Sequence, residues 1–240
     1  RKFFVARDGY VLVDADYSQI ELRVLAHISG DRNMIKAFND NTDIHTVTAS
    51  EVFDMPPQLV TPIMRSRAKA VNFGIVYGIG AFSLAKDIGV SRSEADEYIK
   101  GYLRHYSGVD KYMHDVVEKA KKDGYAETMF ARRRYLPELT ASNANTRAFG
   151  ERVARNMPIQ GTAADIIKIA MIRVYERLER ENLAAKLIMQ VHDELIVEAP
   201  ENEKERVSAL LKEEMENAVK LSVALTADVH SGRTWYDAKG

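Results

Sequence analysis

Tyr10-Val-Leu-Val-Asp-Ala-Asp-Tyr17 is a run of alternating β-formers that ends on a carboxylate and hands over to Ser18-Gln-Ile-Glu21. Far downstream, Lys186-Leu-Ile-Met-Gln-Val-His-Asp-Glu-Leu-Ile-Val-Glu198 holds two β-branched runs that meet at His192-Asp193. The first stretch predicts a strand and the second a hairpin. Asp16 and Asp193 therefore each stand where a short apolar strand stops, and strand ends and tight turns expose side chains on a rigid support. Two such carboxylates on neighbouring strands can hold a pair of divalent metals, the arrangement that moves a phosphoryl group by in-line displacement. Each aspartate alone has a plainer reading, as a helix cap or as turn chemistry. Their company favours the chemical one. Residues 186–198 set His192, Asp193 and Glu194 side by side, more ionisable groups than a turn needs.

Composition narrows the chemistry. The 240 residues suffice for one large domain or two small ones. Without cysteine there is no disulfide framework and no thiolate zinc site, so hard oxygen ligands point to Mg²⁺ or Mn²⁺. A net charge of −1 leaves any contact with a phosphate backbone to local patches: Arg65/Arg67/Lys69, Arg132-Arg133-Arg134, and Arg147/Arg152/Arg155. Each patch alone is also what a solvated face looks like. No apolar run approaches the ~20 residues of a membrane span, and Arg1-Lys-Phe-Phe-Val lacks a signal-peptide pattern. The expectation is a soluble, intracellular protein with no membrane partner.

Helical spacing over 19–29 closes at Gly30, and Asp31 and Asp43 are placed to cap short helices through Phe38 and Phe53. Thr61-Pro62 reads as the start of a long helix to about Tyr77-Gly78. Ser91-Arg-Ser-Glu94 matches a capping box before a helix to about His105. A further helix fits 109–122, with an extended stretch over 125–136 after it. Pro158 and Gly161 separate two more helices, over 145–156 and 161–182. After the hairpin come an amphipathic helix over 201–220 and a strand near 223–230. Strands from both ends of the chain must pair, which predicts an α+β fold: an antiparallel sheet carrying the carboxylates, with a large helical insertion.

Within that insertion Arg65, Lys69, Phe73 and Tyr77 recur every four residues and share one helical stripe. Core aromatics with snorkelling cations would give this pattern. So would a surface that binds phosphates through Arg and Lys and stacks bases on aromatic faces.

Asp16-Tyr-Ser-Gln-Ile-Glu-Leu-Arg23, Arg65-(x)₃-Lys69-(x)₃-Phe73-Gly-(x)₂-Tyr77-Gly and Gln190-Val-His-Asp-Glu194 together resemble the three polymerase motifs of bacterial family A DNA polymerases, in the family's order and at similar separations. The resemblance covers essentially the whole chain, through Asp43-Ile-His45, Arg132-Arg-Arg-Tyr-Leu-Pro137, and Arg152-(x)₃-Asn156-(x)₃-Gln160-Gly-Thr-Ala-Ala-Asp165. It implies a palm over 1–25 and 147–240 with fingers over 26–146. The implied reaction is template-directed transfer of a nucleotide from a dNTP to a primer 3′-hydroxyl by a two-metal mechanism with Mg²⁺, for which Mn²⁺ can substitute. The implied setting is replication and repair on primer–template DNA in the nucleoid-associated cytoplasm of a bacterium. Residue by residue, Asp16, Asp193 and the Tyr17 carbonyl would bind metal, with Glu194 in support. Arg65, Lys69 and His45 would contact phosphates, Lys69 also protonating the leaving group. Gln19, Glu21, Phe73 and Tyr77 would surround the nucleotide, and Arg132, Arg152, Asn156, Gln160 and His192 would line the DNA. The family's thumb, the first part of its palm and its proofreading-type domain have no counterpart in this sequence. They are expected upstream in a parent chain, and the piece alone is expected to be a weak enzyme.

Two other readings compete. A metal-dependent phosphohydrolase or nuclease leaves the Arg65–Tyr77 stripe unexplained. A binding module with a vestigial site has no need to keep Asp16, Asp193 and Lys69 together.

Overall fold

The computed structural model describes residues 1–239, which divide into two compact units: residues 1–20 with the chain from Ala163 onward, and Glu21–Thr162. The first unit is built on four strands, β1 (Tyr10–Tyr17), β4 (Lys186–Val191), β5 (Glu194–Pro200) and β6 (Ala227–Gly232). They form an antiparallel sheet in the order β4-β5-β1-β6. β1 pairs on both edges, so Leu12, Val13 and Ala15 are fully buried, and its β-branched content suits that position. Helix α9 (Lys204–Glu216) lays Val207, Leu210, Leu211 and Met215 on the sheet, and the Tyr17 hydroxyl donates to the Met215 carbonyl at 2.7 Å. The β4–β5 connection is a tight turn in which His192 takes a φ of +51°.

The second unit is helical: α1 (Ile20–Ser29, entering it at Glu21), α2 (Arg32–Asn39), α3 (Ile44–Val52), α4 (Pro62–Val76), α5 (Ala81–Ile88), α6 (Arg92–His105) and α7 (Ser107–Asp123). A small ribbon of β2 (Tyr125–Glu127) and β3 (Arg133–Tyr135) comes next. The expected caps are present. Asp31 accepts from the Met34 amide, Asp43 from His45 and Thr61 from Met64, while Ser91 and Glu94 complete a capping box. Gly78 just past α4 has a φ of +67°, which a side chain would strain, and a Cβ there would also lie 3.2 Å from Arg152 Cγ. The short α5, bracketed by Gly80 and a left-handed Gly89, buries Leu84 and Ala85.

Helix α8 (Ala144–Arg180) runs unbroken from the second unit into the first, where two helices were expected. Proline inside a helix costs about 3 kcal/mol. Here Pro158 and Ile159 are both buried, and their packing offsets that cost. Gly161 is required by close approach, because a Cβ there would sit 2.5 Å from Thr128 Cγ2. Among the described residues no helix is long and apolar enough to cross a membrane.

In most helix interiors Gly→Ala stabilises by about 1 kcal/mol. Gly161→Ala is expected to do the reverse, lowering the thermal midpoint. Adding Thr128→Ser, which deletes the opposing methyl and keeps the hydroxyl, should recover part of the loss in calorimetry. A stabilised Gly161→Ala protein would show that this contact is not tight.

Candidate active site

In the sheet unit, alternation along β1 puts Leu12, Asp14 and Asp16 on one face. Asp16 lies opposite Glu194 on β5 and Asp228 on β6, and the Tyr17 amide donates to the Asp193 carbonyl at 3.2 Å. The β4–β5 turn is thereby laced to the end of β1, which brings Asp16, Asp193 and Glu194 to the same end of the sheet. Lys239 Nζ donates to Asp16 Oδ2 at 2.7 Å and also bonds Glu194 Oε2. Arg1 Nη2 lies 3.5 Å from Glu194 Oε1, and the Trp235 indole donates to Asp14 Oδ2 at 2.9 Å. Burial pushes the Asp14 carboxyl up to about 6, with repulsion from Glu194 adding to it. Burial, then the Asp16 charge, raises Asp193.

Asp16 Oδ1 is buried and has no hydrogen-bond partner. A buried carboxylate oxygen without a donor is costly and is what a hard cation would satisfy, so the residues present fit a Mg²⁺-type ligand set. No three His, Cys, Asp or Glu side chains among the described residues converge closely enough to hold an ion as they stand. Tyr17 anchors its ring in the core, so only its backbone is available to a ligand. Gln19 takes a φ of +56° between β1 and α1. His192 is exposed at the turn, where its carbonyl accepts from Gln190 Nε2 at 2.6 Å. Asp14, Lys239 and Trp235 were missed from sequence. Asp14 was findable, two residues before Asp16 on the same alternating strand.

In the helical unit, the stripe on α4 is neither core nor uniformly exposed. Arg65 and Lys69 are exposed, Phe73 is half-buried, and the Tyr77 hydroxyl donates to Glu21 Oε2 at 3.0 Å. Arg65 grips Asp43 with two bonds, Nε to Oδ2 at 2.5 Å and Nη2 to Oδ1 at 3.2 Å. Burial works against the Asp43 charge, but the bonds from Arg65, Thr46 and the His45 amide prevail and bring its carboxyl down to about 2. The buried His45 has Nδ1 3.1 Å from Asn72 Nδ2 and its ring 5.8 Å from Phe73. With Asn72 donating, the proton of the neutral ring sits on Nε2. Burial lowers His45 to about 4, assisted by Arg65 and Lys69 and opposed by Asp43.

Tyr77, Arg132, Arg152, Asn156 and Gln160 border one open pocket of about 610 Å³. Tyr77 and Arg152 also line a neighbouring one with Phe73 and Gly78. Asn156 Nδ2 donates to the Val76 carbonyl at 3.2 Å, fixing this part of α8 to the end of α4. The arrangement offers cations on the first turns of α4 and aromatic and amide groups toward its C-terminal end, with the neutral His45 ring buried against Asn72 and Phe73.

The model of DNA polymerase family A matches residues 1–237. DNA polymerase I of Caldicellulosiruptor bescii is 54% identical over 239 residues, an alignment covering 100% of this chain and 28% of that protein. The thermostable DNA polymerase I of Thermus thermophilus is 48% identical over 240 residues, 100% of this chain and 28% of that one. Among solved structures, the polymerase domain of Pol1 from M. smegmatis, in complex with DNA primer-template and dNTP, superposes with a TM-score of 0.95 at 45% identity. It covers 100% of this chain and 42% of that chain. The chain thus spans little more than a quarter of the length of these curated relatives.

A buried, neutral His45 has a direct signature. Its imidazole should titrate by NMR with a midpoint near pH 4. Because this lies below the unfolded value of about 6.5, the unfolded chain takes up a proton that the folded one refuses. Its contribution to stability is therefore present above pH 6.5 and is lost as pH falls from there toward 4. A midpoint above 6 would contradict the buried ring.

Proposed function

The chain belongs to DNA polymerase family A, and on that premise we propose that it carries the catalytic core of a template-directed DNA polymerase, joining a dNTP to a primer 3′-hydroxyl. The observation that carries the reading is the pairing of Asp16 with the Asp193 turn, with a buried Asp16 oxygen that no donor satisfies. Asp16, Asp193 and the Tyr17 carbonyl would hold two Mg²⁺ ions, or Mn²⁺, with Glu194 supporting Asp16 across the strand pair. When bound, such ions supply activation of the attacking hydroxyl and charge neutralisation on the phosphates.

The remaining steps fall to the chain's own side chains. Arg65 binds phosphate oxygens through a planar fork and Lys69 as a point charge that can also protonate the departing pyrophosphate. His45, held neutral, donates from Nε2 without adding charge. Phe73 packs on the nucleotide beside Gln19, and Tyr77 stands by the templating base. The Tyr77 hydroxyl holds the Glu21 carboxylate, and we place that carboxylate against C2′ of the sugar, where a ribose hydroxyl would collide with it. Arg132, Arg152, Asn156, Gln160 and His192 would follow the duplex, testing the minor-groove acceptors that every correct pair presents.

We further assign residues 1–25 and 147–240 to a palm and 26–146 to fingers. Primer–template and upstream thumb and proofreading-type segments are the partners in the full chain, in a role in bacterial DNA replication and repair.

Primer extension by the full chain tests the assignment. Asp16→Asn or Asp193→Asn should each cost several powers of ten in turnover, since each removes a charged group that no neighbour replaces; near-normal turnover in either would sink the reading. Glu21→Ala should raise ribonucleotide incorporation while affecting deoxyribonucleotide use less. Equal loss of both would make Glu21 structural.

A further inference from the structure

We propose that Asp43 is a positioning residue for phosphate recognition, holding one edge of the Arg65 guanidinium so that the opposite edge is presented to the triphosphate. The inference rests on the reading of Arg65 as a phosphate ligand.

The Asp43 carboxylate accepts four donors. Oδ1 takes the His45 amide at 3.2 Å and Arg65 Nη2 at 3.2 Å, while Oδ2 takes Thr46 Oγ1 at 2.7 Å and Arg65 Nε at 2.5 Å. A carboxylate has about four lone-pair sites, so Asp43 is saturated and has no capacity left for a ligand of its own. Its action must pass through the groups it holds. Two bonds to one guanidinium fix both the position and the plane of that group, which a single contact cannot do. They use Nε and one hydrogen of Nη2, leaving both hydrogens of Nη1 and the outer one of Nη2 free to meet an anion. Arg65 lies in the first turn of α4, and its side chain is 46% exposed. Without Asp43 it would sample many rotamers, and binding would have to order them. The same carboxylate caps α3 at the His45 amide, so one residue ties the start of α3 to the first turn of α4.

An opposing effect exists, since Asp43 also cancels Arg65 charge and its removal strengthens the net attraction for phosphate. At a site this open that gain is screened by water and salt, and orientation prevails.

Asp43→Asn separates the roles, because Asn caps a helix about as well as Asp but lacks the charge and the second oxygen for the fork. The full chain should show a roughly tenfold rise in KM for dNTP with kcat within about twofold and a thermal midpoint lowered only slightly, by the loss of the depressed Asp43 carboxylate. Asp43→Ser, which caps but cannot grip, should match it if Asn perturbs α3. In an Arg65→Ala background either substitution should add nothing further to the nucleotide KM, a dependence that a merely structural role would not produce. Tighter nucleotide binding in Asp43→Asn, or an equal loss with Arg65 already removed, overturns the proposal. If Arg65→Ala weakens nucleotide binding and Asp43→Asn does not, the positioning role alone fails. If Arg65→Ala has no effect, the phosphate assignment of Arg65 fails with it.

Discussion

Like-charge crowding at the end of β1 is the constraint that organises the sheet unit. Asp14, Asp16, Asp193 and Glu194 lie near one another there, and burial takes from Asp14 and Asp193 much of the water that would screen their neighbours' charge. The chain meets this with cations and donors brought from both termini: Lys239 on Asp16 and Glu194, Arg1 near Glu194, the Trp235 indole on Asp14. It also holds β1 between two strands with Leu12, Val13 and Ala15 buried, so the charged strand end cannot relax by bending away. A site that concentrates negative charge on a stiff support is prepared for cations, and the residual unpaired oxygen on Asp16 shows that the internal cations do not satisfy it fully.

The helical unit has the complementary problem. It gathers positive charge on the first turns of α4 and keeps the nearby imidazole from adding to it by burying the ring. Asn72, itself buried, supports this from within the same helix, bonding His45 on one side and Thr48 on the other. The aromatic half of the stripe remains open because Asn156 ties α8 to the α4 C-terminus through a backbone carbonyl, leaving the rings of Phe73 and Tyr77 beside the pockets. Polar networks inside a helical packing thus set what the surface can offer.

Features governed by a few adjacent residues were readable in the sequence. The caps at Asp31, Asp43, Thr61 and Ser91 each depend on a hydrogen bond three residues long or shorter, and all four are where local chemistry puts them. The antiparallel pairing of β1 with the 186–198 hairpin followed from alternation. Continuity of α8 was not readable, because it depends on Thr128 packing against Gly161 and on burial around Pro158, which are long-range facts. Helix α5 is too short for its spacing to stand out. The residues of the stripe and Glu21 were identifiable one at a time, but that Tyr77 bonds Glu21 across 56 positions was not, nor was the arrival of Lys239 at Asp16 across 223. Sequence motifs name the candidate groups; the groups that hold and neutralise them come from anywhere in the chain.

Trp235 is the chain's single tryptophan, and its indole N–H is bonded to the carboxylate that burial has brought to about 6. The Arg1 guanidinium stands 4.8 Å over its ring and Phe4 packs edge-on at 5.4 Å. Its fluorescence therefore arises wholly within the charged cluster, and any event that alters the field there, whether protonation of Asp14 or arrival of a cation, is written into its emission. Within these 240 residues the site has its own optical probe, and no label is needed to read it.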